Sequence, residues 1–411
     1  MSTKEKRVDL LTREYPPHVY GGAGVHVAEL SRVLRPHLDI RVHAFDGPRT
    51  APDTPPGVRG YDDLPQLADA NATLKTLGVD LLLADGAAGT DLVHSHTWYA
   101  NMAGHLAKLL YDVPHVLSAH SLEPLRPWKA EQLGGGYRIS SWVEKTAYEH
   151  ADAVIAVSGG MREDILRCYP RIDPERVHVV HNGIDLDTWR EPTDLDHRAQ
   201  VLSQWGIDDN RPTVVFVGRI TRQKGLPYLL RAIKQLPRDI QVVLCAGAAD
   251  TPEILEEVST LVKELQTERD AVHWIAEMLP REDLIAILSA GTCFVTPSIY
   301  EPLGIVNLEA MAVGLPVVGT ATGGIPEVID DEVTGLLVPI DQVSDGTGTP
   351  KDPQRFVNDL AAALSEMLAD EQRCHQMGIA ARQRVEEFFS WEAIAERTLQ
   401  VYQSVWAKPV E

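Results

Sequence analysis

The sequence places two glutamates, Glu301 and Glu309, eight residues apart. The apolar run Thr292–Pro297 predicts a buried strand, and Leu303–Val313 predicts a helix that ends at Gly314. If Glu301 were itself helical, the two carboxylates would lie roughly 80° apart around the axis and about 12 Å along it. At that distance they cannot share a proton, but they could bind two parts of one long ligand. Spacing alone equally fits a carboxylate that complements the helix dipole and a solvated helix position.

Two cations follow another apolar run at a predicted strand-to-helix corner. Arg219 and Lys224 lie between Gly218 and Gly225, directly after the predicted strand Thr213–Val217. Fixed cations at the carboxyl end of a strand, beside a helix N-terminus, can hold a pyrophosphate. A solvated basic turn is the alternative. The acidic character of the rest of the chain favours the ligand-binding interpretation.

A glycine-rich turn, Gly21–Gly24, follows the predicted strand Val8–Thr12 and opens a helix. Glycines let backbone N–H groups approach an anion closely, and the helix N-terminus adds about half a positive charge. A plain tight turn explains the same residues equally well. The order GGAG also differs from the GxGxxG dinucleotide fingerprint, so no NAD site is predicted.

Histidines stand at the ends of two predicted strands of the first half of the chain. His94 and His96 end one strand, and His120 follows the next. No metal-binding spacing accompanies them, so we predict no metal site. The loop after His120 carries Arg126 and Lys129, which could bind a sugar phosphate or belong to a surface connection.

The elements that carry these residues predict an α/β protein. Apolar strands alternate with helical patterns in both halves, which is typical of parallel sheets covered on both faces. A helix is predicted near Leu64–Leu77, and the polar segment Asn182–Asn210 is predicted to hold the domain boundary. We expect a Rossmann-like domain at residues 1–185, a second at 186–388 and a C-terminal helix at 389–411. Doubly wound domains bind ligands at the carboxyl ends of their strands, so the cleft between the two is the expected site.

Composition narrows the classes of partner. The 411 residues carry a formal net charge of -21, which disfavours nucleic acid and anionic membranes. Four scattered cysteines, Cys168, Cys245, Cys293 and Cys374, lack any CxxC pairing and indicate a reducing compartment. The N-terminus shows no apolar targeting segment, so we expect a cytoplasmic protein.

Taken together, the motifs resemble the retaining glycosyltransferases of family 4, which have the GT-B fold with two Rossmann-like domains facing a deep cleft. The resemblance covers nearly the whole chain, in family order. It rests on the glycine-rich turn, His120, Asn182-Gly183-Ile184-Asp185, Gly218-Arg219 with Lys224-Gly225, and Glu301 with Glu309. Two segments, Leu10–Gly24 near the N-terminus and the internal run Glu123–Lys129, look most like the corresponding segments of the short bacterial type of glycogen synthase.

The resemblance implies a retaining, metal-independent glucosyltransferase without a cofactor. ADP-glucose would be the donor and glucose 1-phosphate the acceptor, giving α-maltose 1-phosphate for glycogen synthesis. Arg219 and Lys224 would neutralise the donor diphosphate, Glu309 would bind the ribose, and Glu301 would contact the sugar. The implied catalytic residues are His120, Arg219, Lys224 and Glu301. The implied donor-binding residues are Gly21, Gly22, Arg219, Lys224, Leu303, Gly304 and Glu309, and the implied acceptor-binding residues are Arg126, Lys129 and Tyr20.

Several alternatives stay open at this point. Longer glycogen synthases carry Lys-Thr-Gly-Gly at Val19–Gly22 and an Asp at Thr97, and these departures speak against a polyglucan acceptor. Direct elongation of α-1,4-glucan, a nucleotide-sugar 2-epimerase and a non-catalytic sugar-nucleotide sensor are the competing functions. ADP is favoured over UDP by resemblance alone. The aromatic helix that carries Trp391, Tyr402 and Trp406 fits either packing on the first domain or a homodimer contact.

Overall fold

The computed structural model describes residues 6–52, 54–126, 134–343 and 347–407. The chain forms two compact units. The first contains the chain up to Gly183 and again from Trp391, and the second is Ile184–Ser390. Each unit has one wholly parallel sheet, and helices separate most of the consecutive strands, as the alternation of apolar runs and helical patterns predicts; among the described residues, no helix lies between the strands Asp39–Ala44 and Val58–Gly60.

The first unit is built on seven parallel strands in the order β3-β2-β1-β4-β5-β6-β7. They are β1 Arg7–Thr12, β2 Asp39–Ala44, β3 Val58–Gly60, β4 Leu92–His96, β5 His115–Ala119, β6 Ala153–Ala156 and β7 Val177–Val179. The chain runs outward from β1 to one edge and returns to continue from β4 to the other edge. The carboxyl ends of β1 and β4 therefore form the topological switch point, where sheets of this kind bind ligands.

In the described part of the first unit, five helices connect these strands. They are α1 Gly22–Leu34, α2 Ala72–Gly86, α3 Trp98–Tyr111, α4 Gly136–His150 and α5 Gly159–Cys168. The helix predicted near Leu64–Leu77 is wrong in its bounds, because the chain makes only a 3-10 turn at Pro65–Leu67 before α2. The side chain of Asn71 caps α2 by accepting a hydrogen bond of 2.9 Å from the N–H of Thr73, and this cap sets the true start.

The second unit contains six parallel strands in the order β10-β9-β8-β11-β12-β13. They are β8 Thr213–Arg219, β9 Gln241–Gly247, β10 Val272–Ile275, β11 Cys293–Thr296, β12 Val317–Thr320 and β13 Gly335–Val338. The switch point here lies between β8 and β11, which pair directly. Lys224 and Glu301 follow these two strands. They therefore lie at the edge of the sheet where folds of this kind bind ligands.

The helices of the second unit include two that the sequence pattern does not predict, Leu195–Trp205 and the short Ile325–Val328. They are α6 Leu195–Trp205, α7 Leu226–Ile233, α8 Pro252–Glu268, α9 Arg281–Leu288, α10 Ile305–Ala312, α11 Ile325–Val328, α12 Pro353–Ala369 and α13 Glu371–Phe388. The unpredicted α6 lies inside the polar segment that suggested only a boundary. Asp194 caps its start and Gly206, with φ of 67°, ends it, so both termini carry ordinary helix signals.

The last helix, α14 (Trp391–Trp406), belongs to the first unit. Trp391 and Tyr402 are 2% and 0% exposed and join the apolar core beside β1 and α1. The hydroxyl of Tyr402 lies 2.7 Å from Nδ1 of His94. A Cβ atom added at Gly183 would come within 2.7 Å of the Trp391 indole, so the glycine allows this packing. The aromatic face of the helix is thus buried in its own unit.

Candidate active site

The second unit brings three of the predicted site residues to one corner. Arg219 is the last residue of β8, Lys224 ends a 3-10 turn at Arg222–Lys224, and Glu301 follows β11. Nζ of Lys224 lies 2.6 Å from Oε2 of Glu301, and the hydroxyl of Ser298 donates to the same oxygen at 3.2 Å. The cation and the carboxylate therefore form an ion pair.

A backbone contact supports this ion pair. The N–H of Ile299 donates a hydrogen bond of 2.9 Å to the carbonyl oxygen of Gln223, which joins the loop after β11 to the turn that carries Lys224. The Lys224 and Glu301 side chains are 18% and 7% exposed. Two charges so far removed from water interact strongly, and each depends on the other to offset its desolvation.

Glu301 lies outside the helix, which corrects the predicted geometry of the two glutamates. Helix α10 begins at Ile305 rather than at Leu303, so Glu301 precedes it by four residues. Pro302 disfavours helical backbone at Glu301, and Gly304 adopts the left-handed region with φ of 89°. The angle of roughly 80° and the rise of about 12 Å that assume one continuous helix do not apply. The side chain of Leu303 lies in the core.

Two glycines with positive φ hold the loop that carries Glu301. A Cβ atom at Gly323, where φ is 55°, would lie 1.9 Å from the carbonyl oxygen of Glu301. One at Gly304 would lie 2.7 Å from Nδ2 of Asn307 and 3.2 Å from Cγ of Glu301. The N–H of Gly324 donates 2.9 Å to the Glu301 carbonyl. The backbone around Glu301 is therefore packed too closely for any side chain at these two positions.

Arg219 has a partner that sequence reasoning missed. Its Nη1 lies 3.1 Å from Oδ1 of Asp250, which comes shortly after β9. β9 lies beside β8 in the sheet, so the carboxyl ends of both strands share one edge. The position of Asp250 after a predicted strand is the signal that could have found it. The Arg219 side chain is 44% exposed and remains accessible to a ligand.

Glu309 lies inside α10 and is half-buried. Burial raises the pKa of its carboxyl to about 7, although Arg281 and Lys224 act in the opposite direction. A glutamate that is partly protonated at neutral pH is typical of a functional site rather than of a solvated helix position.

The first unit organises the glycine-rich turn around a second carboxylate that sequence reasoning missed. Helix α1 begins at Gly22, with Gly21 as its N-cap. Oε2 of Glu14 accepts hydrogen bonds of 2.8 Å from the N–H groups of both Tyr20 and Gly21. The hydroxyl of Tyr20 donates to Oδ2 of Asp46 at 2.9 Å. The turn is thus fixed through its backbone and through the Tyr20 side chain, and Gly22 is exposed at the helix N-terminus.

His120 belongs to a group of four packed imidazoles. Nε2 of His120 lies 3.0 Å from Nδ1 of His96, and the His94 ring centroid lies 4.3 Å from that of His96. The fourth ring is His26 on α1, which the sequence pattern did not single out. Burial lowers the pKa of His26 to about 4 and that of His96 and His120 well below the usual value, so these rings are neutral at physiological pH.

Of the two cations predicted to bind the acceptor, Arg126 and Lys129, only Arg126 belongs to the described residues. Arg126 ends the 3-10 turn Glu123–Leu125 as its cap, and its Nη1 donates to the hydroxyl of Ser121 at 3.1 Å. Its Nε is buried and has no hydrogen-bond partner among the described residues. Lys129 lies outside the described residues. Arg126 is therefore the described cation of this loop that can be tested as a phosphate ligand.

Comparison with known proteins identifies the family. The family model for glycosyl transferases group 1 matches residues 198–384, and that for glycosyltransferase family 4 matches residues 20–188. The chain is 54% identical over 401 residues to an alpha-maltose-1-phosphate synthase of Mycolicibacterium smegmatis, covering 98% of this chain and all of the relative. The protein of the same description from Mycobacterium tuberculosis is 53% identical with the same coverage.

A solved structure shows the same architecture. The sucrose-phosphate synthase of Thermosynechococcus elongatus superposes with a TM-score of 0.77 at 26% identity, covering 98% of this chain and 99% of that one. In the described part of the chain, no helix is both long enough and apolar enough to cross a bilayer. The two sheets, the charged corner and the full-length identity lead to one conclusion: the chain belongs to glycosyltransferase family 4 and is a glycosyltransferase of the GT-B fold.

Proposed function

We propose that the protein transfers glucose from ADP-glucose to glucose 1-phosphate with retention of configuration, forming α-maltose 1-phosphate. The observation that carries this proposal is the 54% identity over 98% of the chain to an alpha-maltose-1-phosphate synthase. We place the reaction in the cytoplasm, because four unpaired cysteines suit a reducing compartment. The proposed reaction uses no cofactor and needs no metal ion.

The charged corner of the second unit would bind the donor. Arg219 and Lys224 would neutralise the diphosphate as it leaves, in place of a metal ion, and Glu309 would accept hydrogen bonds from the ribose hydroxyls. A single preorganised donor of this kind is worth about 3 kcal/mol in the transition state. Asp250 and Glu301 pair with the two cations, so acidic side chains of the second unit hold both cations in position.

The first unit would supply contacts to the sugars. We assign to His120 the positioning of the 6-hydroxyl of the transferred glucose. The exposed N-terminus of α1 at Gly22 offers a backbone N–H group and a partial positive charge to an anionic group, and Gly21, whose own N–H is donated to Glu14, would allow the ligand to approach the backbone closely. Tyr20 and Arg126 are the described candidates for contacts to the acceptor.

The ion pair between Lys224 and Glu301 helps to distinguish two mechanisms by which the sugar could be transferred with retention. An acceptor hydroxyl that attacks the anomeric carbon on the face the diphosphate leaves would give retention, with a phosphate oxygen accepting the hydroxyl proton. A double displacement would instead need Glu301 as a free nucleophile. Oε2 of Glu301 is engaged by Lys224 at 2.6 Å and by Ser298 at 3.2 Å, which weakens it as a nucleophile and favours attack on the leaving-group face.

Product analysis tests the function directly. Incubation with ADP-glucose and glucose 1-phosphate is expected to give α-maltose 1-phosphate, with ADP release that depends on the acceptor. NMR of the product identifies the linkage and the anomeric configuration in one experiment. Efficient extension of glycogen without turnover of glucose 1-phosphate would instead support a glucan synthase. Isomerisation of the donor without acceptor would support an epimerase.

Arg126→Gln is expected to raise KM for glucose 1-phosphate about ten-fold while leaving KM for ADP-glucose unchanged, because one charged hydrogen bond to phosphate is lost. Initial rates with either substrate varied give both constants. Arg138→Gln, at an exposed position on α4, is the matched control and is expected to change neither constant. An equal loss of activity with a neutral maltooligosaccharide acceptor would refute the phosphate contact.

Donor binding is expected to weaken as the pH falls, because only the ionised form of Glu309 is a strong acceptor for the ribose hydroxyls. Its pKa of about 7 leaves the carboxylate largely ionised at higher pH and largely protonated at lower pH. KM for ADP-glucose should therefore rise about ten-fold between about pH 8 and about pH 6. Glu309→Gln should bind weakly and show no such step. A step of equal size in the variant would assign the titration to another group.

A further inference from the structure

Three of the clustered histidines come from three separate elements of the first unit. His26 lies on α1, His96 ends β4, and His120 follows β5. Each offers a ring nitrogen, and the three nitrogens lie within 4.8 Å of one another. His26 and His96 are 2% and 0% exposed, while His120 is half-buried. The strands and the helix fix the three rings in one small volume next to the carboxyl edge of the sheet.

One hydrogen bond, between Nδ1 of His96 and Nε2 of His120, joins two of these rings, but it leaves other buried ring nitrogens unsatisfied. Among the described residues, neither nitrogen of His26 has a hydrogen-bond partner, and Nε2 of His96 has none. The Asn182 side chain acts on His26 as a hydrogen-bond partner that raises its pKa, but no hydrogen bond of standard geometry joins it to either ring nitrogen, and Oδ1 of Asn182 is likewise unsatisfied. A buried polar atom without a partner costs about 1–3 kcal/mol. Such a cost at adjacent rings indicates a ligand.

His94 provides a contrast within the same cluster. Its Nδ1 lies 2.7 Å from the hydroxyl of Tyr402, and its Nε2 lies 2.9 Å from the hydroxyl of Ser118. Both of its nitrogens are thus satisfied by the protein, as is usual for a structural histidine. The unsatisfied nitrogens belong to the neighbouring rings of His26 and His96, whose centroids lie 5.5 Å apart.

Three neutral imidazoles with a fourth position open are a donor set that Zn²⁺ uses in proteins. Tetrahedral zinc with Zn–N bonds of about 2.0–2.1 Å places its ligand nitrogens roughly 3.4 Å apart. Nδ1 of His96 and Nε2 of His120, which share a hydrogen bond, are 3.0 Å apart, and the ligand nitrogens of all three histidines lie within 4.8 Å of one another, which is close to that spacing. Mg²⁺ and Ca²⁺ prefer oxygen ligands and do not suit this site.

We propose that His26, His96 and His120 together bind one Zn²⁺-type transition-metal ion and that the bound ion inhibits sugar transfer by occupying His120. The inhibition rests on the proposed function, because it requires His120 to contact the transferred sugar. Metal binding does not rest on it. The ion is a regulator of the enzyme and takes no part in the reaction.

Co²⁺ substitution tests the binding. Tag-free protein, stripped with a chelator, is expected to develop the visible absorption bands of tetrahedral Co²⁺ up to one equivalent, and Zn²⁺ should abolish them. His26→Leu should lose the bands. His105→Leu, which removes one histidine of a separate pair with His150 in the same unit, should retain them. Bands that are absent from the wild type, or that persist in His26→Leu, would overturn the proposal.

Activity measurements test the inhibition. One equivalent of Zn²⁺ is expected to lower wild-type activity at least ten-fold, with recovery on chelation, and to change His26→Leu activity less than two-fold relative to that variant without zinc. Mg²⁺ should have no effect. Equal zinc sensitivity in wild type and His26→Leu would overturn the inhibitory role. If the wild type binds one Co²⁺ yet makes no α-maltose 1-phosphate, the proposed function fails and the metal site stands.

A measurement on the wild-type chain covers the case in which His26→Leu does not fold. With ¹⁵N-labelled histidine, one equivalent of Zn²⁺ is expected to shift the ring nitrogens of three histidines and leave those of His94 near their metal-free positions. Shifts confined to exposed histidines would overturn the assignment of the site.

Discussion

Replacing Lys224 by methionine is expected to lower kcat/KM for ADP-glucose by roughly 100- to 1,000-fold, which corresponds to about 3–4 kcal/mol of lost transition-state stabilisation. The lysine has two tasks in the proposed reaction. It holds Oε2 of Glu301 at 2.6 Å, and it would stabilise the charge that develops on the departing diphosphate. Methionine keeps the length and much of the apolar stem, so the substitution mainly removes the charge.

The matched control is Lys234→Met in the same unit. Lys234 also lies 2.6 Å from a carboxylate, that of Glu264, but both side chains of this pair are well exposed. Such a surface pair contributes about 0–1 kcal/mol, so the control should retain activity within about two-fold. Steady-state rates with varied donor, together with thermal unfolding, separate a catalytic loss from a loss of fold. More than a tenth of wild-type activity in folded Lys224→Met would refute the role of the cation.

Replacing Trp391 by alanine is expected to destabilise the first unit by about 3–5 kcal/mol, the usual cost of truncating a buried tryptophan. Trp391 is 2% exposed and lies against Gly183, and its ring centroid is 5.5 Å from that of His26. It is the first residue of α14, the helix that follows the second unit in sequence and packs in the first unit. Its loss would leave a cavity where that helix meets α1.

Hydrogen exchange followed by mass spectrometry can locate the effect. Peptides from β1 and β4 should lose protection in Trp391→Ala, while peptides from β8 and β9 should keep theirs because the second unit has its own core. Trp142→Ala removes the same side chain from α4, where it is 56% exposed, and should change neither set. Equal loss of protection in both units would mean that they do not unfold separately.

Much of the fold follows from local patterns. Buried parallel strands read as continuous apolar runs, and β5 and β10 have the bounds that these runs predict. β3 was not predicted, because three residues next to a proline-rich stretch are too few to show a periodic pattern. α6 was not predicted, because its cap residues, Asp194 and Gly206, lie in a segment whose polar composition suggested only a domain boundary.

The sequence singles out candidate site residues by type and position but does not predict how they pair. Strand ends attract ligands in doubly wound sheets, so Arg219, Lys224 and Glu301 could be singled out from position alone. Their partners are set by long-range packing, since Lys224 and Glu301 are 77 residues apart in sequence. Nothing in the spacing of the motifs specifies that Asp250 pairs with Arg219. The same limit applies to Glu14 beneath the glycine-rich turn.

The glycines beside Glu301 restrict how this active site can diverge in evolution. Any mutation of Gly304 or Gly323 adds a Cβ atom that must displace backbone or a neighbouring side chain, with 1.9 Å to the Glu301 carbonyl oxygen in the second case. Such a mutant loses the position of the carboxylate before it gains a new specificity. If Glu301 contacts the sugar as proposed, selection for another sugar works through the longer side chains around this loop, and a mutant library aimed at new donors should leave both codons unchanged.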